Sequence, residues 1–369
     1  MNRMAPLNMT TGPVQVSQGV ETAGHGALSS PHIGDFWTFH DSVIERLKRI
    51  VATKETLFMM PGSIRMGISV ALANIVRPGW RALAITNGFW GTLIADYLRA
   101  CGAEVIELAS SDLAPVSPES VAKALADEHF DLVSIVHVET NAGVVNPIAE
   151  IGALVAQTDA LFFVDTACSA GAQPVLSDAW KIDIGVTGSH KCLGGLPGLA
   201  IITLSQKALS RVGRGSGPLC ALDLRTLLRD LLERPQRPLF TLPPAPVHAL
   251  SAALDEIEAI GHDAWFTQHK AVADRFRQAM RGAGLNMLTD RVGTDDAMLS
   301  VAVQAVAYPD RFDDAAFRAR LADRHGIHVI GNIGDWQGHS FRLGLMSGPQ
   351  IAEATLDRVI AAIIAEATT

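Results

Sequence analysis

Two charged residues that follow apolar stretches carry the side chains needed for imine chemistry. Asp165 ends the apolar stretch Leu161–Asp165, and Lys191 follows a second stretch, residues 182–187, and precedes a Gly-rich turn. Both stretches are typical of buried strands, and in an open α/β sheet ligands bind outside the carboxyl ends of the strands. We therefore expect the carboxylate and the amine to face the same crevice.

A lysine in such a crevice is suited to forming a Schiff base. Desolvation lowers the pKa of a buried lysine, which leaves a neutral and nucleophilic amine. A buried aspartate needs a cationic partner, and a pyridinium nitrogen would supply one through a charge-assisted hydrogen bond. The alternative is that Asp165 and Lys191 pair with each other or lie on solvated loops, which is the commoner situation for charged residues.

Three more segments follow predicted strands and would reach the same crevice. Residues 62–65 stand between a strand and a helix, where free N–H groups favour a phosphate, although Ser63 could simply cap the helix. Trp90 lies in a Gly-flanked turn and could stack on a flat ring, or it could belong to the core. Residues 138–143 add short polar side chains. The combined set of groups matches the requirements of pyridoxal phosphate.

Strand and helix patterns alternate through the first two-thirds of the sequence. Strands are predicted at 56–60, 82–86, 104–108, 132–138, 161–165, 182–187 and 199–204, with helices at 41–51, 64–76, 90–101 and 147–157. Ser117 followed by Pro118 marks a further helix start. This alternation predicts an α/β fold with a mostly parallel, doubly wound sheet.

The last third of the sequence has a different pattern. From residue 249 it is helix-rich, with short strands predicted at 298–303, 328–330 and 340–343. Several prolines between residues 234 and 247 predict an irregular segment and a domain boundary. We therefore predict a large domain over residues 15–245 and a small α+β domain made of residues 246–369 with residues 1–14.

Composition limits the class of protein. The 369 residues suffice for two domains, and a formal net charge of −8 argues against a nucleic-acid or anionic-membrane surface. Charged residues make up only 18%, which suggests that surface is buried in a homo-oligomer. No apolar run is long enough for a membrane span, and residues 1–7 hold no signal core. The four cysteines lack metal-ligand spacing, so we expect a reduced, cytoplasmic protein without a metal site.

These motifs resemble the class V aminotransferases of the fold type I pyridoxal-phosphate superfamily. The similarity extends over nearly the whole chain, and its most specific parts are residues 164–171 and residues 187–193. It is greatest to the alanine/serine–glyoxylate branch. The chain is also similar to the pyridoxamine–pyruvate and ureidoglycine–glyoxylate enzymes, the latter especially in residues 63–68. The resemblance implies a large domain with a seven-stranded, mostly parallel sheet, a smaller C-terminal α+β domain, and pyridoxal phosphate as cofactor.

The resemblance also implies a role for each residue around the cofactor ring. Lys191 carries the cofactor through a Schiff base and later moves a proton. Asp165 keeps the pyridine nitrogen protonated. Trp90 stacks on one ring face, Ala167 packs on the other, and Thr140 lies near the ring hydroxyl.

Phosphate and substrate contacts follow from the same resemblance. The implied phosphate-binding residues are Ser63, Ile64, Arg65, His190 and Thr241, the last supplied by the partner subunit of a homodimer. Arg342 binds the substrate carboxylate, for which the guanidinium fork is suited. Two features differ from the aminotransferase pattern: His190 replaces the usual glutamine, and no tyrosine stands shortly before Thr241, where the sequence has Pro238, Leu239 and Phe240.

The expected reaction is a ping-pong transfer of an amino group from a small amino donor to glyoxylate or pyruvate, in a pocket lined by Ala167, Phe36 or Trp37, and Arg342. The alternatives within the same fold are a pyridoxamine–pyruvate-type transaminase and a pyridoxal-phosphate lyase. A cysteine desulfurase is disfavoured, since no cysteine follows Cys220. A binding protein without turnover is the alternative from another class, and the presence of Asp165, Lys191 and Arg342 argues against it.

Overall fold

A seven-stranded sheet forms the centre of the structure, a computed structural model that describes residues 6–25, 35–111, 113–213, 222–233, 241–309 and 312–367. In spatial order its strands are Thr56–Pro61, Leu199–Leu204, Ile184–Gly188, Leu161–Asp165, Leu132–Val136, Arg81–Thr86 and Glu104–Ala109. The strand Leu199–Leu204 is antiparallel to both of its neighbours, and the other strand pairs are parallel. The predicted mostly parallel sheet is confirmed.

Apolar side chains cover both faces of this sheet. Along the strand Leu161–Asp165, Phe162 and Val164 belong to one apolar cluster, whereas Leu161 and Phe163 belong to the other. Such burial on both faces explains why this strand is a continuous apolar run rather than an alternating one. The helices that accompany the sheet are Gln18–His25, Phe36–Ile50, Ile64–Ile75, Phe89–Ala100, Pro118–Asp127, Ile148–Val155, Gln206–Leu209 and Leu224–Leu232.

The remaining elements form small sheets and helices, most of them in the last third of the chain. A three-stranded antiparallel sheet has the order Val303–Ala307, Ser340–Gly344 and Ile330–Gly331. Two further strand pairs join Leu7–Asn8 to Ile327–His328 and Val138–Glu139 to Val144–Val145. The α-helices are Pro244–Ile260, His262–Gly282, Asp314–His325, Gly348–Ile351 and Glu353–Ala367, with 3₁₀ turns at Leu288–Arg291, Asp296–Met298 and Gly334–Trp336.

Local side-chain chemistry explains where several helices begin. Ser117 accepts the N–H of Ser120, and Pro118 occupies the first turn of the helix that follows, as predicted.

No helix in the described ranges is long and apolar enough to cross a membrane.

The prediction that residues 234–247 are irregular was wrong at its C-terminal end. A helix begins at Pro244, because a proline in the first turn lacks only an N–H that would have no helical partner. Residues 234–240, with two of the prolines, lie outside the described residues.

Two predicted strands were also placed wrongly. In residues 298–303 the hydroxyl of Ser300 accepts the N–H groups of Ala302 and Val303, so the chain turns locally and the strand begins only at Val303. The strand predicted over 132–138 ends at Val136, and Val138–Glu139 leaves the sheet to pair with Val144–Val145.

Candidate active site

A cavity of about 340 Å³ lies at the carboxyl ends of the central strands. Its floor includes Asp165, at the end of its strand, and Lys191, in the turn that follows Ile184–Gly188. These two strands are parallel neighbours, with Asp165 opposite Val186. The remaining lining residues are Thr11, Gly12, Ser63, Ile64, Arg65, Ile68, Trp90, Val136, Val138, Thr140, Ala167, Cys168, His190, Ile330, Ile333 and Arg342.

The Asp165 carboxylate is buried and its environment disfavours charge. Its Oδ1 accepts the N–H of Ala167 at 2.8 Å. Burial raises the pKa of this carboxyl to about 6, while the Ala167 N–H and the charge of Lys191 act in the opposite direction. The carboxylate would therefore gain much from a cation placed in the cavity.

The amine of Lys191 points to a thiol rather than to Asp165. It is half-buried, and its Nζ donates to the Sγ of Cys168 at 3.4 Å. Nζ also lies 5.9 Å from the centre of the Trp90 ring. Lys191 and Asp165 thus share the cavity, as the sequence predicted, without forming a direct ion pair with each other.

The turn before the helix Ile64–Ile75 provides one wall of the cavity. Ser63 caps this helix by accepting the N–H of Met66 at 3.3 Å, so the expectation of an ordinary cap is confirmed. Ser63 and Arg65 are nevertheless exposed to the cavity, and a serine hydroxyl that accepts one hydrogen bond can still donate its own proton. A 12-residue helix beginning here favours an anion.

Three side chains that line the cavity, Trp90, Thr140 and Arg342, are joined by hydrogen bonds. The indole Nε1 of Trp90 donates to the Oγ1 of Thr140 at 2.6 Å, and a guanidinium nitrogen of Arg342 donates to the same oxygen at 3.4 Å. Arg342 also donates to the carbonyl of Gly331 at 3.2 Å. The guanidinium of Arg65 lies 4.7 Å from the centre of the Trp90 ring, in cation–π contact.

Two buried nitrogens at the cavity have no hydrogen-bond partner among the described residues. They are the Nδ1 of His190 and the Nε of Arg342. Buried polar atoms are normally paired, so each of these nitrogens is available to a ligand. Burial lowers the pKa of both side chains, and Lys191 lowers that of His190 further.

Not every predicted residue lines the cavity. Phe36 is buried in the apolar core, and neither Phe36 nor Trp37 lines the cavity, so that prediction was wrong. The helix that carries them packs its apolar face against the core. From the sequence alone, an apolar helix face that packs in the core cannot be distinguished from one that lines a cavity. Thr241 is exposed and does not line this chain's cavity. Its predicted contact involves a partner subunit.

The sequence interpretation missed several cavity residues. Cys168 lies three residues after Asp165, so its place in the motif was visible although its contact with Lys191 was not. Ile330 and Ile333 also line the cavity. Ile330 belongs to a short strand that was predicted only as a structural element, and Ile333 directly precedes the 3₁₀ turn Gly334–Trp336. No group of three or more potential ligand side chains in the described residues could hold a metal ion.

The residues present fit the parts of pyridoxal phosphate. A helix start with Ser63 and the free nitrogen of His190 suit its phosphate, Trp90 and Ala167 can enclose a flat ring, and Asp165 suits a cationic nitrogen. The fold and this site define a transferase of the fold type I pyridoxal-phosphate class.

Comparison with known proteins identifies the family. The model of the class-V aminotransferases matches residues 42–339, and the chain belongs to this family. An uncharacterized aminotransferase of Methanocaldococcus jannaschii is 33% identical over 92% of this chain and 87% of its own length. The pyridoxamine–pyruvate transaminase of Mesorhizobium japonicum is 25% identical over 93% of this chain and 86% of its own.

A solved structure shows the same fold. The ureidoglycine–glyoxylate aminotransferase of Bacillus subtilis superposes with a TM-score of 0.89 and 26% identity, and the match covers 99% of this chain and 94% of that one. The chain is therefore an aminotransferase, an enzyme that transfers nitrogenous groups, as the sequence predicted.

Asp165→Asn is expected to stabilise the cofactor-free chain above pH 6. Its carboxyl pKa is about 6 in the folded chain against 3.8 as the ordinary value, so the folded state binds a proton between these pH values. The free energy of unfolding therefore falls as the pH rises through that range. Asparagine keeps the acceptor for Ala167, and the gain should approach about 3 kcal/mol near pH 8 and vanish below about pH 4.

Denaturant unfolding of both proteins near pH 4 and pH 8 measures this difference. The exposed Asp159→Asn is the matched control, which should leave stability unchanged at both pH values. Equal stability of Asp165→Asn and the wild type near pH 8 would contradict the conclusion that burial destabilises the charged form of Asp165.

Proposed function

We propose that this aminotransferase binds pyridoxal phosphate and moves an amino group from a small amino donor to a small 2-oxo acid, glyoxylate or pyruvate, in a ping-pong reaction. The observation that carries the proposal is the placement of Asp165 and Lys191 on neighbouring strand ends, around one cavity that also contains Arg342. The names of the relatives support the choice of acceptors, because they include a pyruvate and a glyoxylate enzyme.

The cofactor would be held by residues on three sides of the cavity. Its phosphate would accept hydrogen bonds from the helix start at Ser63 to Arg65 and from the free nitrogen of His190. Its ring would lie between Trp90 and Ala167. The Asp165 carboxylate would hold the ring nitrogen in its cationic form, and the bound cofactor supplies an electron sink for the bond broken at the substrate carbon.

Lys191 would serve as the proton carrier of the reaction. Its amine lies in the cavity beside Cys168 and Trp90, so it can attach the cofactor and, once displaced, take a proton from the substrate carbon. The hydroxyl of Thr140 accepts from both Trp90 and Arg342, which leaves its own proton for the ring hydroxyl group.

Arg342 would bind the carboxylate shared by amino donor and 2-oxo acid. Its side chain is buried, and its Nε has no partner among the described residues. The hydrogen bonds to Thr140 and to the Gly331 carbonyl fix the plane of the guanidinium. Ile330 and Ile333 form an apolar wall beside it, which suits a small substrate.

We further propose that two chains form a homodimer with the active site at the subunit interface. Ser63 and Arg65 are exposed, and Met66 and Phe89 present apolar side chains beside them. Thr241, exposed in this chain, would contribute to the partner's phosphate site. A second chain would cover the apolar side chains and close the cavity.

We also propose a cytoplasmic location and a division of the chain into two domains. Cys101, Cys168 and Cys192 are free thiols, which supports a reducing, cytoplasmic setting. A large domain over residues 15–245 and a small one of residues 246–369 with residues 1–14 is supported by the pairing of Leu7–Asn8 with Ile327–His328.

The second candidate is a pyridoxamine–pyruvate-type transaminase or a lyase on the same fold. The relative from Mesorhizobium japonicum favours the former. Incubation of the loaded enzyme with amino donors, followed by analysis of the products, separates the candidates. Pyridoxamine phosphate indicates amino-acid transamination, and free ammonia indicates a lyase. Conversion of pyridoxamine and pyruvate to pyridoxal and alanine, with no other amino donor present, indicates the pyridoxamine enzyme.

Lys191→Ala is expected to abolish covalent cofactor attachment and turnover. Among the described residues that line the cavity, Lys191 is the only lysine, so the substitution removes the amine that would form the Schiff base. Borohydride reduction followed by peptide mass analysis should find the pyridoxyl group on the Lys191 peptide of the wild type. Lys207→Ala, a lysine that binds the carbonyl of Ala160 away from the cavity, should behave like the wild type. A labelled peptide elsewhere would move the site.

Asp165→Asn is expected to retain the fold and lose most turnover. Removing one member of a buried ion pair costs roughly 3–5 kcal/mol, which corresponds to about two to four powers of ten in rate. Single-turnover kinetics on the saturated enzyme measures the loss in the chemical step. A rate close to that of the wild type would refute the role of Asp165 at the ring nitrogen.

Arg342→Lys is expected to raise the KM for both substrates by about 10- to 100-fold, because lysine retains the charge and loses the paired hydrogen bonds. Cofactor affinity should change much less. The surface substitution Arg99→Lys is the control for loss of a guanidinium. An unchanged KM for both substrates would place the carboxylate site elsewhere.

A further inference from the structure

A second buried carboxylate lies next to the active site and has no part in the mechanism above. Glu139 ends the short strand Val138–Glu139 and directly precedes Thr140. It is completely buried and does not line the cavity. Burying a carboxylate is costly unless strong donors surround it, so its presence calls for a physical reason.

Backbone N–H groups from two separate segments surround this carboxylate. Its Oε2 accepts the N–H of Trp90 at 3.2 Å, and its Oε1 accepts the N–H of Asn141 at 3.4 Å. The N–H groups of Gly91 and Thr140 also lower its pKa, although burial dominates and raises the pKa to about 7. Every donor that the described residues offer it is a backbone group.

The turn at residue 88 is built around the same side chain. Gly88 has a φ of 150°, and a Cβ at this position would collide with the Cγ and Cδ of Glu139. Glu139 thus occupies the space in front of the helix Phe89–Ala100, where the helix dipole favours negative charge. The segment that carries Trp90 and the carboxylate are fitted to each other.

These contacts fix both partners of an active-site hydrogen bond. Glu139 binds the backbone of Trp90 on one side and the turn that follows Thr140 on the other. The indole of Trp90 then donates to the hydroxyl of Thr140, which also accepts from Arg342. The Glu139 carboxylate therefore controls the distance between the Trp90 ring and the Thr140 hydroxyl.

We propose that Glu139 is a positioning residue for the aminotransferase reaction: its two oxygens hold the backbone of Trp90 and of the Thr140–Asn141 turn at the separation that the cofactor ring requires. This inference rests on the proposed function, since the ring in question is that of pyridoxal phosphate. Glu139 touches neither the cavity nor the substrate, and acts through Trp90 and Thr140.

Glu139→Gln tests the inference with almost no change in shape. Both carboxylate oxygens accept from N–H groups, so the amide –NH₂ of glutamine faces a donor in either orientation. One of the two segments must then move. The dissociation constant for pyridoxal phosphate, measured by absorbance titration of the cofactor-free protein, should rise by about tenfold or more.

The matched control is Glu150→Gln. Glu150 is an exposed glutamate in the first turn of the helix Ile148–Val155, so it shares the helix-start setting without the contacts to the site. Its dissociation constant should equal that of the wild type. Glu139→Asp, which keeps the charge and shortens the reach, is the second variant and should weaken binding less than Glu139→Gln.

A double-mutant cycle separates positioning from a merely structural role. Trp90→Phe removes the indole hydrogen bond to Thr140, so Glu139→Gln should add less than about threefold in this background. The same tenfold effect in both backgrounds, or a lowered melting temperature with unchanged cofactor affinity, would overturn the inference. Failure of the wild type to bind pyridoxal phosphate at all would overturn the proposed function first, and this inference with it.

Discussion

The structure depends on one electrostatic constraint, the Asp165 carboxylate, which is buried at the end of an apolar strand and is not directly paired with the nearby Lys191. The register that places Asp165 beside Val186 prevents the carboxylate from moving into solvent, and the pKa of about 6 expresses the resulting strain. Lys191 relieves it only in part, because its charge lowers the pKa of Asp165 while its amine donates to Cys168. Under the proposed function a cationic ring nitrogen would relieve it, so the same buried carboxylate that lowers the stability of the protein alone would strengthen cofactor binding.

The elements around this carboxylate supply rigid supports from different parts of the chain. The strand pair that contains Arg342 reaches the site from the last third of the sequence, and Asn332 donates to the carbonyl of Asn141 at 2.7 Å across that boundary. Gly143 packs so closely on the carbonyl of Val303 that a side chain there would collide with it. These contacts fix Arg342 relative to the sheet, and under the proposed function that is the condition for a precise substrate pose.

The sequence predicted the parts of this arrangement that depend on local pattern. An apolar stretch that ends in Asp165 forms a buried strand, and the Gly-Ser turn before residue 64 begins a helix. In a parallel sheet both features lie at the carboxyl edge of the strands, so these elements and their common edge were predicted correctly. The errors occurred where a side chain competes with the backbone or where faces must be assigned. Ser300 delays a strand by bonding to nearby N–H groups, and Phe36 faces the core rather than the cavity. Neither outcome can be read from spacing, because each is decided by tertiary packing.

Asp165 and Glu139 show two solutions to the same physical problem within one site. Both are buried acids, and burial raises the pKa of Glu139 to about 7 and that of Asp165 to about 6. Glu139 is surrounded by backbone N–H groups at a helix start, which oppose the effect of burial on its pKa and fix the position of its two oxygens. Asp165 receives one such N–H and keeps its remaining acceptor capacity for the cavity. The difference in donor supply explains why one carboxylate can hold the framework in place while the other remains available to a ligand.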